Sequence, residues 1–158
     1  TGEALPQAML EKMLAAKNFQ SAMQMLRQLE FSLFDFIMHA EYNPQKGDEI
    51  QTVLDKVRAK YSVIKPASFN RFQHSFSHIF GGGYAAGYYS YKWAEVLSAD
   101  AFSRFEDEGI FNAKTGNDFL TNILEKGGSE EPSELFKVFR GRSPKIDALL
   151  RHSGISGN

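Results

Sequence analysis

Phe76-Ser77-His78-Ile79-Phe80-Gly81-Gly82-Gly83-Tyr84-Ala85-Ala86-Gly87-Tyr88-Tyr89-Ser90-Tyr91-Lys92-Trp93 sets a histidine, a glycine run and four tyrosines beside one another. Core packing does not require that density of polar aromatic groups. Consecutive glycines lose more freedom on ordering than other residues, so Gly81-Gly82-Gly83 marks a backbone that turns sharply or approaches a ligand closely. Read onward as a helix from about Tyr84 to Glu106, the stretch places Tyr84, Tyr88 and Tyr91 at i, i+4 and i+7, on one face that begins at the mouth of the glycine loop. Tyr89 and Trp93 share a different face. Aromatic stripes at helical spacing ordinarily pack in a core, where each buried phenol needs a hydrogen-bond partner. An open cleft, with the hydroxyls facing water or substrate, meets that need more easily.

Outward from this stretch the chain reads as helices separated by stop and start signals. Pro6 sits early in a first helix running to about Lys17. Asn18 is placed to cap a second, which fades before Asn43-Pro44 because the residue before a proline disfavours the helical region. In that second helix Phe19, Ala22, Met23, Leu26, Leu29, Leu33, Phe34 and Ile37 form one apolar stripe, and Met25, Phe31, Phe36 and Met38 are apolar off it. A helix apolar on most sides belongs inside a larger body. Arg27, Glu30 and Asp35 interrupt any run approaching the ~20 apolar residues that a bilayer requires. Asp48 is the expected cap of a third helix carrying Ile50, Val53, Leu54, Val57 and Tyr61, and Lys65-Pro66 to Phe72 reads as a loop.

Beyond the aromatic helix, Gly109 marks its end, and Thr115 or Asn117 is the expected cap of a short helix to Glu125, broken by Gly127-Gly128. Ser129 heads another helix to Arg140, with Glu130 and Glu131 in its first turn and Gly141 just past its end. Ser143-Pro144 is the expected cap of a last short helix ended by Ser153-Gly154, with residues Ile155 to Asn158 frayed. The expected fold class is all-α. No repeat, low-complexity tract or composition shift marks a second domain, so residues 1–158 read as a single helical segment.

An apolar fraction of 42%, with 13% aromatic residues, is ample for a core, while the net charge is only -1. That balance excludes the basic surface on which nucleic-acid binding depends. The absence of cysteine excludes a disulfide framework and Cys-ligated zinc, and fits a reducing compartment such as the cytoplasm. The start, Thr1-Gly2-Glu3, shows no initiator Met and no signal or transit peptide pattern, which reads as a segment of a longer protein.

His78 to Trp93, followed by Ala94-Glu95-Val96-Leu97-Ser98-Ala99-Asp100-Ala101-Phe102, closely resembles the C-terminal active-site segment of the thimet oligopeptidase family of zinc metallopeptidases, nearest to its oligopeptidase A branch. The resemblance continues through Asp107 to Asn112, Gly127 to Glu130 and Phe139 to Pro144, reaches back to Leu26 to Phe31, and covers nearly the whole chain. It implies the C-terminal helical part of a larger, zincin-type catalytic domain that hydrolyses short peptides. The partners it implies are those peptides and the remaining metal-binding part of the same protein, with no nucleic acid or membrane. The cofactor it implies is zinc, held in the family by a His-Glu-x-x-His helix and a later glutamate. That motif is absent here, so no metal ligand is assigned to this chain, which is expected to be inactive by itself. His74-x-x-x-His78 offers the spacing of two imidazoles, but Ser75 stands where the base would be, and nothing nearby specifies a third ligand.

Carried onto matching positions, the resemblance makes His78, Tyr84 and Tyr91 the candidate catalytic residues, and Gly81, Gly82, Gly83 and Tyr88 the candidate substrate-binding ones. A tyrosine hydroxyl can donate to a peptide carbonyl oxygen as it gains negative charge; either Tyr84 or Tyr91 serves. His78 would donate to the same carbonyl. The glycine loop would form a mobile wall of the cleft and Tyr88 would line a subsite. His39 and His152 read as structural, and His74 and Arg71 as solvated loop residues. Two other readings exist: Gly81-x-Gly83-x-x-Ala86 fits a relaxed dinucleotide fingerprint, but its flanks lack alternating strands and helices; a helical interaction module would leave the three tyrosines in a core.

Overall fold

A computed structural model describes residues 2–47 and 49–155; the expected cap Asp48 and the terminal residues 156–158 lie outside the described residues. The fold is all-helical, with no strand among the described residues, and none of its helices is long and apolar enough to cross a membrane. The chain divides into two compact units, one up to Tyr91 and one from Lys92 onward.

The first unit contains α1 (Gln7–Lys17), α2 (Ser21–Ala40), a 3-10 turn at Pro44–Lys46, α3 (Ile50–Tyr61), a second 3-10 turn at Phe72–Ser75 and α4 (Ser77–Phe80). Asn18 closes α1 instead of opening α2, its N–H donating to the Ala16 carbonyl, and the left-handed backbone at Gln20 (φ 55°) delays α2 to Ser21. Phe19 therefore falls outside the helix and is exposed. The core joins Phe34 and Met38 of α2 to Leu54 of α3, Phe76, Ile79 and Tyr88, with Phe31, Tyr42, Ile50, Val53 and Phe72 packed against it.

The buried face of α2 differs from the expected stripe. Ala22 and Leu29 of the stripe are exposed, whereas the two acids that interrupt the apolar run, Glu30 and Asp35, are 0% and 1% exposed. A buried carboxylate is tolerated only when paired and hydrogen-bonded. Glu30 Oε1 accepts from Arg27 Nη1 at 2.6 Å and from Arg58 Nε at 2.9 Å, and Arg58 Nη2 reaches Asn70 Oδ1 at 3.1 Å, tying the loop after α3 to this pair.

α5 (Ser90–Glu108) leads into the second unit, followed by α6 (Ala113–Phe119), which runs into a π turn at Leu120–Leu124, then α7 (Pro132–Arg140) and α8 (Asp147–His152). The π turn is closed by the Glu125 N–H on the Leu120 carbonyl. Asn112, not Thr115 or Asn117, caps α6: its Oδ1 accepts from the N–H groups of Lys114 and Thr115. Thr115 is instead buried, its hydroxyl donating to Glu108 Oε2. α7 begins at Pro132, three residues later than the Ser129 start, because proline is preorganised for the first helical position. Gly141 ends it in the left-handed region (φ 72°), as expected. Ser143-Pro144 does not cap α8, which starts at Asp147. The Phe119 ring packs against Phe105 and Phe139, with centroids 6.0 and 5.2 Å away. Beside these rings, Arg142 grips Asp100 of α5 with both terminal nitrogens.

Candidate functional site

The quoted stretch forms a short helix, a glycine turn and a run of further turns. α4 stops at Gly81, whose N–H donates to the Ser77 carbonyl at 2.7 Å, and the chain doubles back until the Tyr84 N–H meets the His78 carbonyl at 3.0 Å. Gly82 passes so close to that helix that a β-carbon there would lie 3.0 Å from both His78 Cα and His78 O. Gly83 adopts φ +79°. Both positions require glycine, one for space and one for conformation. The Gly81 amide is thereby already committed, and all three glycines are exposed.

The aromatic helix begins at Ser90, six residues after Tyr84. Ala86 is left-handed (φ 56°), and the turn is closed by the Gly87 N–H on the Tyr84 carbonyl and the Ser90 N–H on the Gly87 carbonyl. Tyr84 and Tyr88 are thus on turns, not on a helical face with Tyr91. The three rings converge nonetheless. Tyr84 and Tyr91 are stacked with centroids 5.2 Å apart, and Tyr88 meets Tyr91 edge-on at 5.2 Å. The His78 ring lies 6.0 Å from Tyr84 and 6.0 Å from Tyr88.

These side chains differ in exposure. Tyr84 and Tyr91 are 37% and 41% exposed, whereas Tyr88 is buried and donates its hydroxyl to Gln28 Oε1 at 3.0 Å. Burial raises the Tyr88 phenol above its usual value, against the opposing charge of Arg27. Tyr91 is raised chiefly by the adjacent Tyr84 hydroxyl and further by burial. Both therefore stay protonated at neutral pH and keep a proton to donate. Tyr89, on the other side, meets Phe36 edge-on, and Trp93 is half-exposed.

The turn rests on α2. Asp35 Oδ1 accepts from the Ala86 N–H and Oδ2 from the Tyr88 N–H, each at 2.9 Å. His39 places Nδ1 at 2.9 Å from both the Asp35 carbonyl and Asp35 Oδ1; both are acceptors, so Nδ1 carries the proton. The sequence reading missed Asp35 and Gln28. The signal was an acid in mid-helix, four residues before a histidine and flanked by apolar residues.

His74 and His78 lie on different short helices, and no group of three or more His, Asp or Glu is placed to hold a metal ion among the described residues. His152 instead pairs with Glu106, Nε2 to Oε1 at 2.9 Å. In the second unit, Trp93, Ala94, Leu97, Ala101, Phe119, Ile123, Leu135 and Phe136 line an apolar groove of 440 Å³.

Comparison with known proteins adds an independent line. The family model described as peptidase family M3 matches residues 1–155. Over 157 residues the chain is 62% identical to oligopeptidase A of Salmonella typhimurium, covering 99% of this chain and 23% of that protein. It is 50% identical over 159 residues to a probable cytosolic oligopeptidase A of Arabidopsis thaliana (98% and 23%), and 32% identical over 157 residues to dipeptidyl carboxypeptidase of Escherichia coli (99% and 23%). The chain thus spans about a quarter of the length of these relatives.

Proposed function

The chain belongs to peptidase family M3, and on that premise we propose that it is the C-terminal part of an oligopeptidase and contributes the donors that stabilise a peptide carbonyl during hydrolysis. When water adds to that carbonyl, the oxygen gains negative charge and is stabilised by preorganised hydrogen-bond donors. The stacked pair Tyr84 and Tyr91 supplies them. Their rings are stacked with centroids 5.2 Å apart and both are partly exposed, so either hydroxyl can turn its proton toward a carbonyl lying against the pair. His78, packed beside Tyr84, donates to the substrate. Gly82 and Gly83 form the cleft wall, and Tyr88, expected to line a subsite but buried in the core, backs the pair edge-on to Tyr91. Zinc belongs to the remainder of the longer protein, because the residues of this chain do not fit it. Short peptides are its substrates. The lack of cysteine and the cytosolic naming of one relative support a cytoplasmic location.

The observation that carries this reading is the pair of partly exposed, stacked phenols backed by the buried Tyr88. It is tested in the complete protein with a phosphinic pseudopeptide, whose tetrahedral anionic centre resembles the reacting carbonyl. Replacing both Tyr84 and Tyr91 by Phe should weaken its binding by about a hundredfold while leaving a substrate-like peptide inhibitor within about threefold. Equal weakening of both ligands would reduce the tyrosines to general binding residues.

A further inference from the structure

Asp35 is 1% exposed and, among the described residues, no Arg or Lys is paired with it; its partners there are the Ala86 and Tyr88 N–H groups and the partly exposed His39. An apolar residue of similar size would fill the same space without the desolvation cost of a carboxylate. Two features show what the carboxylate gains. Ala86 is held at φ 56°, a conformation disfavoured for any residue with a β-carbon unless its surroundings impose it. The Ala86 and Tyr88 N–H groups are also left over by the turn's own hydrogen bonds, which use those of Gly87, Ser90 and Tyr91. One buried anion therefore collects two amides that bracket Gly87 and fixes the bend between Tyr84 and Tyr91.

We propose that Asp35, oriented by His39, is the positioning residue that sets the stacked tyrosine pair, so that α2, through a side chain more than fifty positions upstream in sequence, determines where the donor hydroxyls point. The His39 N–H on Oδ1 locks the carboxylate rotamer, leaving Oδ2 to face Tyr88. This rests on the reading that Tyr84 and Tyr91 act in the reaction. The bend itself does not depend on that reading.

The test uses the complete, zinc-loaded protein with Asp35→Asn, which keeps one acceptor and turns an amide donor toward a backbone donor. Expected are a kcat lower by about tenfold or more with KM within about twofold, and less than about a twofold further loss when the same change is made in the Tyr84→Phe Tyr91→Phe background. Hydrogen exchange at the Ala86 and Tyr88 amides should rise by about tenfold while the core of α2 stays protected. His39→Ala, at a partly exposed position, provides a second variant should Asp35→Asn not fold, with an expected kcat loss of about threefold and faster exchange at the same two amides. A loss of kcat that persists in full without the tyrosine hydroxyls overturns the proposal, as does unchanged exchange at Ala86 and Tyr88. If the tyrosine substitutions themselves leave kcat intact, the oxyanion reading falls, and the exchange measurement still decides whether Asp35 sets the bend.

Discussion

Replacing Asp100 by Asn should loosen the second unit, by an amount that follows from the partners of the carboxylate. Asp100 is 1% exposed and accepts from Arg142 through both oxygens and from the Lys145 N–H at 2.8 Å; Arg140 lies 3.4 Å from Oδ1. Breaking a buried pair by removing one partner costs about 3–5 kcal/mol. The Arg142 side chain is 33% exposed and can recover some hydration, which lowers the expectation to about 2–3 kcal/mol. Exchange rates report such a change directly: amides of α5 and α7 that open together should exchange roughly 30- to 150-fold faster in Asp100→Asn. Exchange within about threefold of the native rate would show that these arginines are solvated equally well without the acid. The pH dependence provides a second check. Burial pushes the Asp100 carboxyl up, but the Arg142 hydrogen bonds, the Lys145 N–H and the charges of Arg142 and Arg140 pull it below its usual value overall. A depressed folded value means that the stabilisation is fully present above the unfolded carboxyl value of about 3.9 and is lost as pH falls through the lower folded value. The difference between native chain and variant should therefore hold at neutral pH and vanish only in strong acid.

Three other outcomes are expected. In the complete protein, at least one of Tyr84→Phe and Tyr91→Phe should lower kcat by about a hundredfold, with thermal stability held within about 1 kcal/mol; full activity in both would end the catalytic assignment. Gly82→Ala forces a β-carbon to 3.0 Å from the His78 backbone and should lower kcat/KM by about tenfold, while Gly128→Ala, with nothing within 4 Å, should leave both stability and activity unchanged. Residues 1–158 in isolation should cleave no peptide and bind no stoichiometric zinc; tight binding lost in a His74→Ala His78→Ala variant, measured by calorimetry, would contradict this.

The helices were legible where local chemistry decides them. Gly109 and Gly141 take positive φ just past helix ends, a role that depends on lacking a β-carbon and not on distant partners. Misreadings arose where several residues compete for one local role or where a partner lies far away in sequence. Asn112, Thr115 and Asn117 all suit a cap, and only the fold shows that the Asn112 oxygen reaches two N–H groups. Glu30 and Asp35 read only as interruptions of the apolar run of α2 because Arg58 and the Ala86 and Tyr88 amides are 28 to 53 residues away. The site was legible as a constellation, since His78, Tyr84 and Tyr91 do come together. Its geometry was not, because a spacing of four residues serves a turn bent at Ala86 as well as a helix.

Trp93 gives the apolar groove of the second unit an optical readout. It is the one tryptophan of the chain, so emission excited beyond the tyrosine band has a single source, and its ring is half in water at the groove's edge. In the isolated chain that indole should emit to the red and be open to collisional quenchers such as iodide. Anything that settles over the groove would shift the emission to the blue and shield it from iodide, so the colour of one residue measures how much of this face is covered.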